Sequence, residues 1–280
     1  MTVRDQGSRP YRQVDPHALD GFTKESFEHR GRRHDVFRTG SGPAVIVIHE
    51  VPGVTPLVAS FARTVAERGM TAVMPSLFGT PGAVATTRYE LSEVARVCIN
   101  TEFTKLALNK TSSITTYLRA LAAHEVRRCG GPGVGAVGMC VTGGFALAMS
   151  VDPVMVAPVL SQPSLPLPLR EAQRRALGIS DDDLALVKTR VGEGLCVMGL
   201  RFTGDKMSPP ERFARLREEL GDNFIGIEID SSPSNPWAYP RGAHSVLTTH
   251  YSNEPGSPTR RALEDTLEFL AQRLGLDEAK

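Results

Sequence analysis

The segment Val134–Gly144 limits the fold of this 280-residue chain more than any other stretch of its sequence. A short β-branched run leads into a sharp, glycine-flanked turn at Cys140, and a helix begins directly afterwards. In such a strand–turn–helix unit the turn lifts one side chain above the sheet, and small neighbours let the strand and the helix approach closely. The lifted group here is a thiol, so the segment predicts an α/β protein with a candidate cysteine nucleophile.

Predicted strands and helices alternate along the chain, which is typical of a mostly parallel sheet with helices on both faces. The predicted organisation is an N-terminal arm and edge segment over residues 1–40, followed by a single domain over residues 41–280. Apart from the elbow strand, the predicted strands are Ala44–Ile48, Thr71–Pro75, Val154–Leu160, Leu195–Thr203 and Phe224–Ile229, and the helices lie in Pro56–Arg68, Thr101–Arg128, Arg170–Arg190, Pro209–Leu220 and Thr259–Leu274.

The composition favours a soluble cytoplasmic protein with one large core. Hydrophobic residues make up 41% of the chain, and 32 basic residues nearly balance 31 acidic ones. A net charge of +1 supplies no strong field toward nucleic acid or a membrane. The four cysteines lack CxxC spacing, which argues against a zinc cluster or a disulfide scaffold and suits a reducing compartment. The polar first 20 residues contain no apolar signal core.

Candidate reactive groups follow the predicted strands, at the edge where parallel strands place their carboxyl ends. Cys140, Glu50 and Asp205 each come just after an apolar run, and His244 lies in the loop after the last strand. The chain order of nucleophile, acid and histidine is that of the α/β-hydrolases. Together these residues form a candidate catalytic triad.

The chemistry explains these residue types. A free thiol with a pKa of about 8.5 is only a few per cent thiolate at neutral pH and needs a base. His244 is expected to take the thiol proton, and Asp205 to hold the imidazole in the required tautomer. The backbone N–H groups of Val141 and Val51 are the expected donors to a developing oxyanion.

Other residues compete for these roles. His49 and His250 are alternatives to His244 as the base, and Asp230 also ends a strand and competes with Asp205. Cys140 itself has the alternative of a buried core cysteine, as Cys98, Cys129 and Cys196 are expected to be.

Three residues are candidates for substrate binding. Ser245 is expected either to contact the substrate or to cap a turn. Arg241, like Arg88, offers a charge for an acidic substrate, although a solvated or salt-bridged arginine is the commoner case. Trp237 precedes His244 in a proline-rich insert, where it would either form a wall of the pocket or anchor a long loop.

Five motifs are spaced along the chain at the predicted strand ends and loops: Ile48–Val54, Pro75–Phe78, Gly138–Cys140, Gly204-Asp205 and Gly242–Ser245. Together they resemble the dienelactone hydrolase family, from about Gly42 to Leu274. The resemblance implies an α/β-hydrolase fold with a Cys–Asp–His triad, which opens a lactone through an acyl-enzyme. We expect this chemistry to need no metal or organic cofactor. The resemblance also implies that Glu50 contacts the cysteine in the resting enzyme and helps to activate it.

The chain departs from the family pattern at three places. Thr142 stands where the family commonly has glycine, and Gly79-Thr80 stands where dienelactone-specific members place an arginine. Extra residues lie between Gln162 and Leu195 and in Ser231–Arg241. These departures leave the hydrolase prediction intact and bear on the substrate.

The predicted function is hydrolysis of a carboxylic ester, with a small-molecule ester or lactone as the partner and no nucleic-acid or membrane partner. A first alternative is a thioesterase or acyl transferase that uses the same triad. A second is a non-catalytic protein whose thiol senses electrophiles or oxidants.

Overall fold

The computed structural model describes residues 13–86, 93, 112–165 and 170–276. Its centre is an eight-stranded sheet with the order β1-β2-β4-β3-β5-β6-β7-β8. Strands β1 and β2 form an antiparallel edge hairpin, β2 pairs antiparallel with β4, and the remaining pairs are parallel. The strands are β1 (Thr23–His29), β2 (Arg32–Gly40), β3 (Ala44–Ile48), β4 (Thr71–Pro75), β5 (Val134–Met139), β6 (Met155–Ser161), β7 (Val197–Phe202) and β8 (Phe224–Ile229).

The described helices connect the parallel strands and cover both faces of the sheet. They are α1 (Pro56–Glu67), α2 (Ser113–Cys129), α3 (Gly143–Met149), α4 (Glu171–Arg175), α5 (Asp181–Gly192), α6 (Pro210–Leu220) and α7 (Pro258–Arg273), with 3₁₀ turns at Cys140–Thr142 and Gly221–Asn223.

Strand β3 shows why two helical layers form. All five of its residues are buried, and successive side chains of a strand point to opposite faces. Val45 and Val47 join the apolar cluster beneath α1 and α7, whereas Ile46 and Ile48 join the cluster beneath α2 and α3. A strand that is apolar on both faces needs cover on both, which confirms the mostly parallel, doubly covered sheet predicted from the sequence.

Helix α2 begins at a capped position. The Ser112 hydroxyl accepts a hydrogen bond from the Thr115 N–H, and Gly130 ends the helix with a φ of 74°. The helix was predicted over Thr101–Arg128, and the first part of that range, like Cys98 and Arg88, lies outside the described residues. None of the described helices combines the length and apolar character that crossing a bilayer requires.

Candidate active site

The turn after β5 raises the Cys140 side chain at the carboxyl edge of the sheet. Cys140 has a φ of 58°, a left-handed conformation that is costly for a residue other than glycine. A Cβ atom at Gly138 would lie 2.5 Å from the carbonyl oxygen of Thr142, and one at Gly143 would lie 2.7 Å from the Cα of Pro163. Both glycines therefore permit the close approach of strand, turn and helix that this geometry needs.

Thr142 fastens the turn to the neighbouring strand. Its buried hydroxyl accepts a hydrogen bond from the Met139 N–H at 2.9 Å. The same oxygen lies 2.8 Å from the carbonyl oxygens of Ile48 and Met139, either of which can receive its single proton. The threonine that replaces the family's glycine thus links the turn to the end of β3.

His244 and Asp205 meet at the same edge. The imidazole Nδ1 donates to the Asp205 Oδ2 at 2.6 Å, and the aspartate Oδ1 accepts from the Met207 N–H at 2.9 Å. The backbone N–H of His244 donates to the Nδ1 of His250 at 3.3 Å. Asp205 is almost fully buried. Its hydrogen bond with Nδ1 orients the His244 ring and favours the tautomer that carries the proton on Nδ1.

The other ring nitrogen of His244 is on the side of the thiol. Nε2 is buried and forms no hydrogen bond of normal geometry with the described residues. Burial alone would lower the pKa of His244, yet its pKa is raised well above 6.5 because the Cys140 thiolate and the Asp205 carboxylate stabilise the imidazolium. The arrangement is chemically suited to a thiolate–imidazolium pair.

His49, the first alternative base, uses both ring nitrogens within the structure. Its Nδ1 donates to the Glu50 carbonyl oxygen at 3.0 Å, and its Nε2 accepts from the Leu77 N–H at 3.0 Å. Complete burial lowers the pKa of His49 to about 4, so the ring is neutral at physiological pH. It connects the loop after β3 to the loop after β4 and has no nitrogen left for proton transfer.

The two remaining competitors also have local structural roles. His250 accepts the hydrogen bond from the His244 backbone, and burial lowers its pKa. Asp230 is exposed, and its carboxylate accepts hydrogen bonds from the N–H and the hydroxyl of Ser232 at 2.8 and 3.1 Å. Asp205, not Asp230, is the carboxylate paired with His244.

Glu50 lies in a buried group of polar side chains. Its Oε2 accepts from the Ser245 hydroxyl at 2.7 Å and from the Gln162 amide at 3.1 Å, and its Oε1 accepts from the Thr248 hydroxyl. The hydrogen bonds of this carboxylate therefore go to neutral donors rather than to Cys140, the contact that the family resemblance implies. The group of Glu50, Gln162, Ser245 and Thr248 is called the Glu50 cluster below.

Sequence reasoning did not identify Gln162 and Thr248. Gln162 immediately follows β6, and its position at a strand end is the signal that points to it. Thr248 lies four residues after His244, with no sequence feature that marks it as a partner of Glu50.

Val51 and Val141 occupy matching positions on adjacent strands. Ile48 pairs with Gly138 in the sheet, and each valine follows three residues later. Among the described residues the Val51 N–H has no hydrogen-bond partner. Val141 lies within the first turn after the thiol, where backbone N–H groups point out of the helix end. Their role as oxyanion donors stays a prediction.

The three candidate substrate-binding residues, Ser245, Arg241 and Trp237, have different surroundings. The Ser245 hydroxyl is bound to Glu50. Arg241 is exposed, and its carbonyl group packs closely on Gly204. Trp237 is half-buried against the core beneath α1 and α7, and Tyr239 bonds to Ser257 and Thr259 at the start of α7, at 2.9 Å each. The insert is thus anchored to α7, which favours the anchor alternative for Trp237.

Arg212 on α6 connects the other insert to the acid loop. Its buried guanidinium donates to the Pro163 and Ala176 carbonyls at 2.7 Å, to Gln173 at 3.0 Å and to Met207 at 3.1 Å. Burial lowers the pKa of Arg212 to about 10, so the side chain is still charged at neutral pH. This residue, which the sequence did not single out, ties the segment after β6 to the loop of Asp205.

The strand order, with the lifted thiol following the fifth strand, places the chain in the α/β-hydrolase class. Within that class its family is also defined. The chain belongs to the dienelactone hydrolase family, because residues 36–178, more than half of its length, match the model of that family. It is therefore a member of a hydrolase family.

Similar solved structures cover nearly the whole chain. A candidate dienelactone hydrolase from Klebsiella pneumoniae subsp. pneumoniae is 19% identical, with a TM-score of 0.61 over 90% of this chain and 98% of its own. A dienelactone hydrolase-like promiscuous phosphotriesterase from metagenomic libraries is 15% identical, with a TM-score of 0.55 over 91% and 98%. A cold-adapted esterase from an Arctic intertidal metagenomic library is 14% identical, with a TM-score of 0.58 over 95% and 98%. These likenesses show the shared fold. No curated protein matches the chain.

Proposed function

We propose that this protein hydrolyses carboxylic esters, with lactones as the favoured kind, through a Cys140–His244–Asp205 triad and an acyl-cysteine intermediate. One observation carries the proposal. The His244 ring is bonded to Asp205 at 2.6 Å through Nδ1, while Cys140 raises its pKa from the other side. A base oriented by an acid and coupled to a nucleophile is the arrangement that acyl transfer requires.

The first half-reaction acylates the enzyme. The Cys140 thiolate attacks the ester carbon, a carbon–sulfur bond forms, and the carbonyl π electrons move to the oxygen. The Val51 and Val141 N–H groups donate to this oxyanion. When the intermediate collapses, the carbon–oxygen bond to the leaving group breaks and the departing alkoxide takes the proton of the His244 imidazolium. In a lactone the alcohol remains attached to the acyl group.

The second half-reaction releases the acid. Neutral His244 removes a proton from water as the water oxygen attacks the acyl-cysteine carbon. Collapse of this second intermediate breaks the carbon–sulfur bond and restores the thiolate beside the imidazolium. Glu50 takes no proton in this scheme. Its contacts with Ser245 and Thr248 position the loop that carries His244, and it directly precedes the Val51 amide.

The experiment is steady-state hydrolysis of 4-nitrophenyl acetate and of a set of lactones. Wild-type protein is expected to turn over many times, whereas Cys140→Ala abolishes turnover and His244→Ala lowers kcat at least about 100-fold. Cys129→Ala is the matched control, because it removes a half-buried thiol at the end of α2 and should leave kcat/KM unchanged.

Intact-protein mass spectrometry separates the alternatives. Rapid quenching should reveal one acyl group on wild-type protein and none on Cys140→Ala. Preferred transfer of that group to an added thiol or alcohol instead of water would identify an acyl transferase. Alkylation of Cys140 without turnover of any ester would identify a thiol sensor and overturn the proposal.

A further inference from the structure

We propose that the site accepts esters with uncharged, apolar acyl groups and selects against acyl groups that carry a carboxylate. This inference rests on the proposed ester hydrolysis and names its substrate class. Two features of the described site carry it, namely the apolar residues around the thiol and the Glu50 carboxylate, whose described hydrogen bonds all come from neutral donors.

The surroundings of the thiol are apolar. Cys140 and Val141 belong to a buried cluster that also contains Leu165, from the segment after β6. Three half-buried hydrophobic residues of the loops after β3 and β4 pack against this cluster and keep part of their surface exposed: Val51, Leu77 and Phe78. An acyl group delivered to the sulfur would therefore meet hydrocarbon surface, which favours an apolar chain or ring.

The Glu50 cluster places an anion at the same edge of the sheet. Glu50 is 5% exposed, and the hydrogen bonds that it accepts from the described residues come from one amide and two hydroxyl groups, none of which carries a positive charge. Ser245, which donates one of these bonds, adjoins the proposed base, and Val51 adjoins Glu50 itself. A substrate carboxylate entering between these residues would face a like charge in a poorly hydrated setting, where repulsion is strong.

The buried arginines of the described chain are committed to other partners. Arg212 donates to four carbonyl oxygens. Arg201 bonds to Glu228 and to the Thr203 and Ser208 carbonyls, and Arg38 bonds to Glu125. Because their guanidinium groups are already engaged, they do not supply the bidentate clamp that usually recognises a carboxylate.

The test compares three esters that share the leaving group 4-nitrophenol: 4-nitrophenyl pentanoate, methyl 4-nitrophenyl glutarate and mono-4-nitrophenyl glutarate. The two glutarates differ by one methyl group and one charge. After subtraction of the uncatalysed rate, kcat/KM for the methyl ester should exceed that for the carboxylate by about tenfold or more. The pentanoate should be at least as good a substrate as the methyl ester.

Two variants locate the source of the discrimination. Glu50→Gln removes the buried charge, so the ratio of kcat/KM between the two glutarates should fall toward unity even if both rates decrease. Asp230→Asn is the matched control, since it removes an exposed carboxylate after β8 and should leave the ratio unchanged. If Glu50→Gln fails to fold, the ratio of kcat/KM between the two glutarates in wild-type protein still tests the substrate preference.

The outcomes distinguish this inference from the proposed function. Turnover of none of the three esters would overturn the hydrolase proposal. Turnover of the two glutarates at equal rates, or preference for the charged one, would overturn only the substrate inference. A wild-type preference that persists unchanged in folded Glu50→Gln would refute the role assigned to the Glu50 charge.

Discussion

At Cys140 the proposed nucleophile and a strained backbone coincide. Its φ of 58° is kept by contacts that leave no room for larger neighbours at Gly138 and Gly143. Conformations of this kind cost about 1–3 kcal/mol and are found mainly where function requires them. The turn that imposes this φ holds the sulfur at the carboxyl edge of the sheet, on the side of the His244 ring.

Replacement of the sulfur by oxygen tests the thiolate chemistry at this residue. Cys140→Ser preserves the shape of the side chain, but a hydroxyl is much harder to deprotonate than a thiol. We expect kcat to fall at least about 100-fold, with the same unfolding midpoint as wild type. Full activity in the serine variant would contradict a mechanism that depends on a thiolate.

The pKa of His244 should depend on the thiol. In the folded protein it lies well above its usual 6.5, because the Cys140 thiolate and the Asp205 carboxylate stabilise the imidazolium. Cys140→Ala removes the first of these charges, so the pKa of the ring should fall while its hydrogen bond to Asp205 remains. NMR titration of the imidazole in both proteins measures the change. An identical pKa in the two proteins would show that the ring and the thiol are not coupled.

At the scale of elements, loops from distant parts of the chain are joined by buried polar contacts. His49 connects the loops after β3 and β4, and Arg212 connects the segment after β6 to the Asp205 loop. These contacts hold strand ends in place where no regular secondary structure does so. The precision of the site therefore depends on groups that take no part in the proposed chemistry.

His49→Leu tests one of these connections. The change leaves the half-buried Leu77 N–H without its partner, while the Glu50 carbonyl keeps its hydrogen bond from the Gly53 N–H. One unsatisfied donor should lower the unfolding free energy by about 1–3 kcal/mol. Wild type should in addition lose about 3 kcal/mol as the pH falls from 6.5 to about 4, because only the unfolded chain is protonated in that window. Chemical unfolding at pH 7 and pH 4 measures both effects, and the variant should lack the second. An unchanged acid sensitivity would show that His49 is not its source.

The elements that the sequence predicts well are those defined by local pattern. The apolar runs at β3, β4 and β8 match the observed strands, and the strand–turn–helix at Cys140 is recognisable from its glycines. The Glu50 cluster is not predictable in this way, since Gln162 and Thr248 are 112 and 198 residues from Glu50. Such contacts depend on the paths of three loops, which no short pattern encodes.

At the scale of the molecule, a buried ion pair fastens the edge hairpin to the helical layer, remote from the candidate triad. Arg38 on β2 bonds to the fully buried Glu125 on α2 at 2.5 Å, and it lies 3.3 Å from Glu25 on β1. Glu25 is also bound by Arg128 at 2.7 Å. The two antiparallel strands are thereby joined to α2.

The cost of breaking this pair should depend on which partner is removed. Arg38→Met leaves Glu125 buried without its cation and should lower the unfolding free energy by about 3–5 kcal/mol. Glu125→Leu should cost less, because Arg38 retains Glu25 as a partner. The double variant should be more stable than Arg38→Met, since uncharged residues replace both buried charges. Urea unfolding of all four proteins gives the coupling energy between the two residues. The kcat/KM of the folded variants should remain within about twofold of wild type, because the candidate triad follows other strands of the sheet. Strictly additive losses would show that the pair does not act as a unit in holding the hairpin to the sheet.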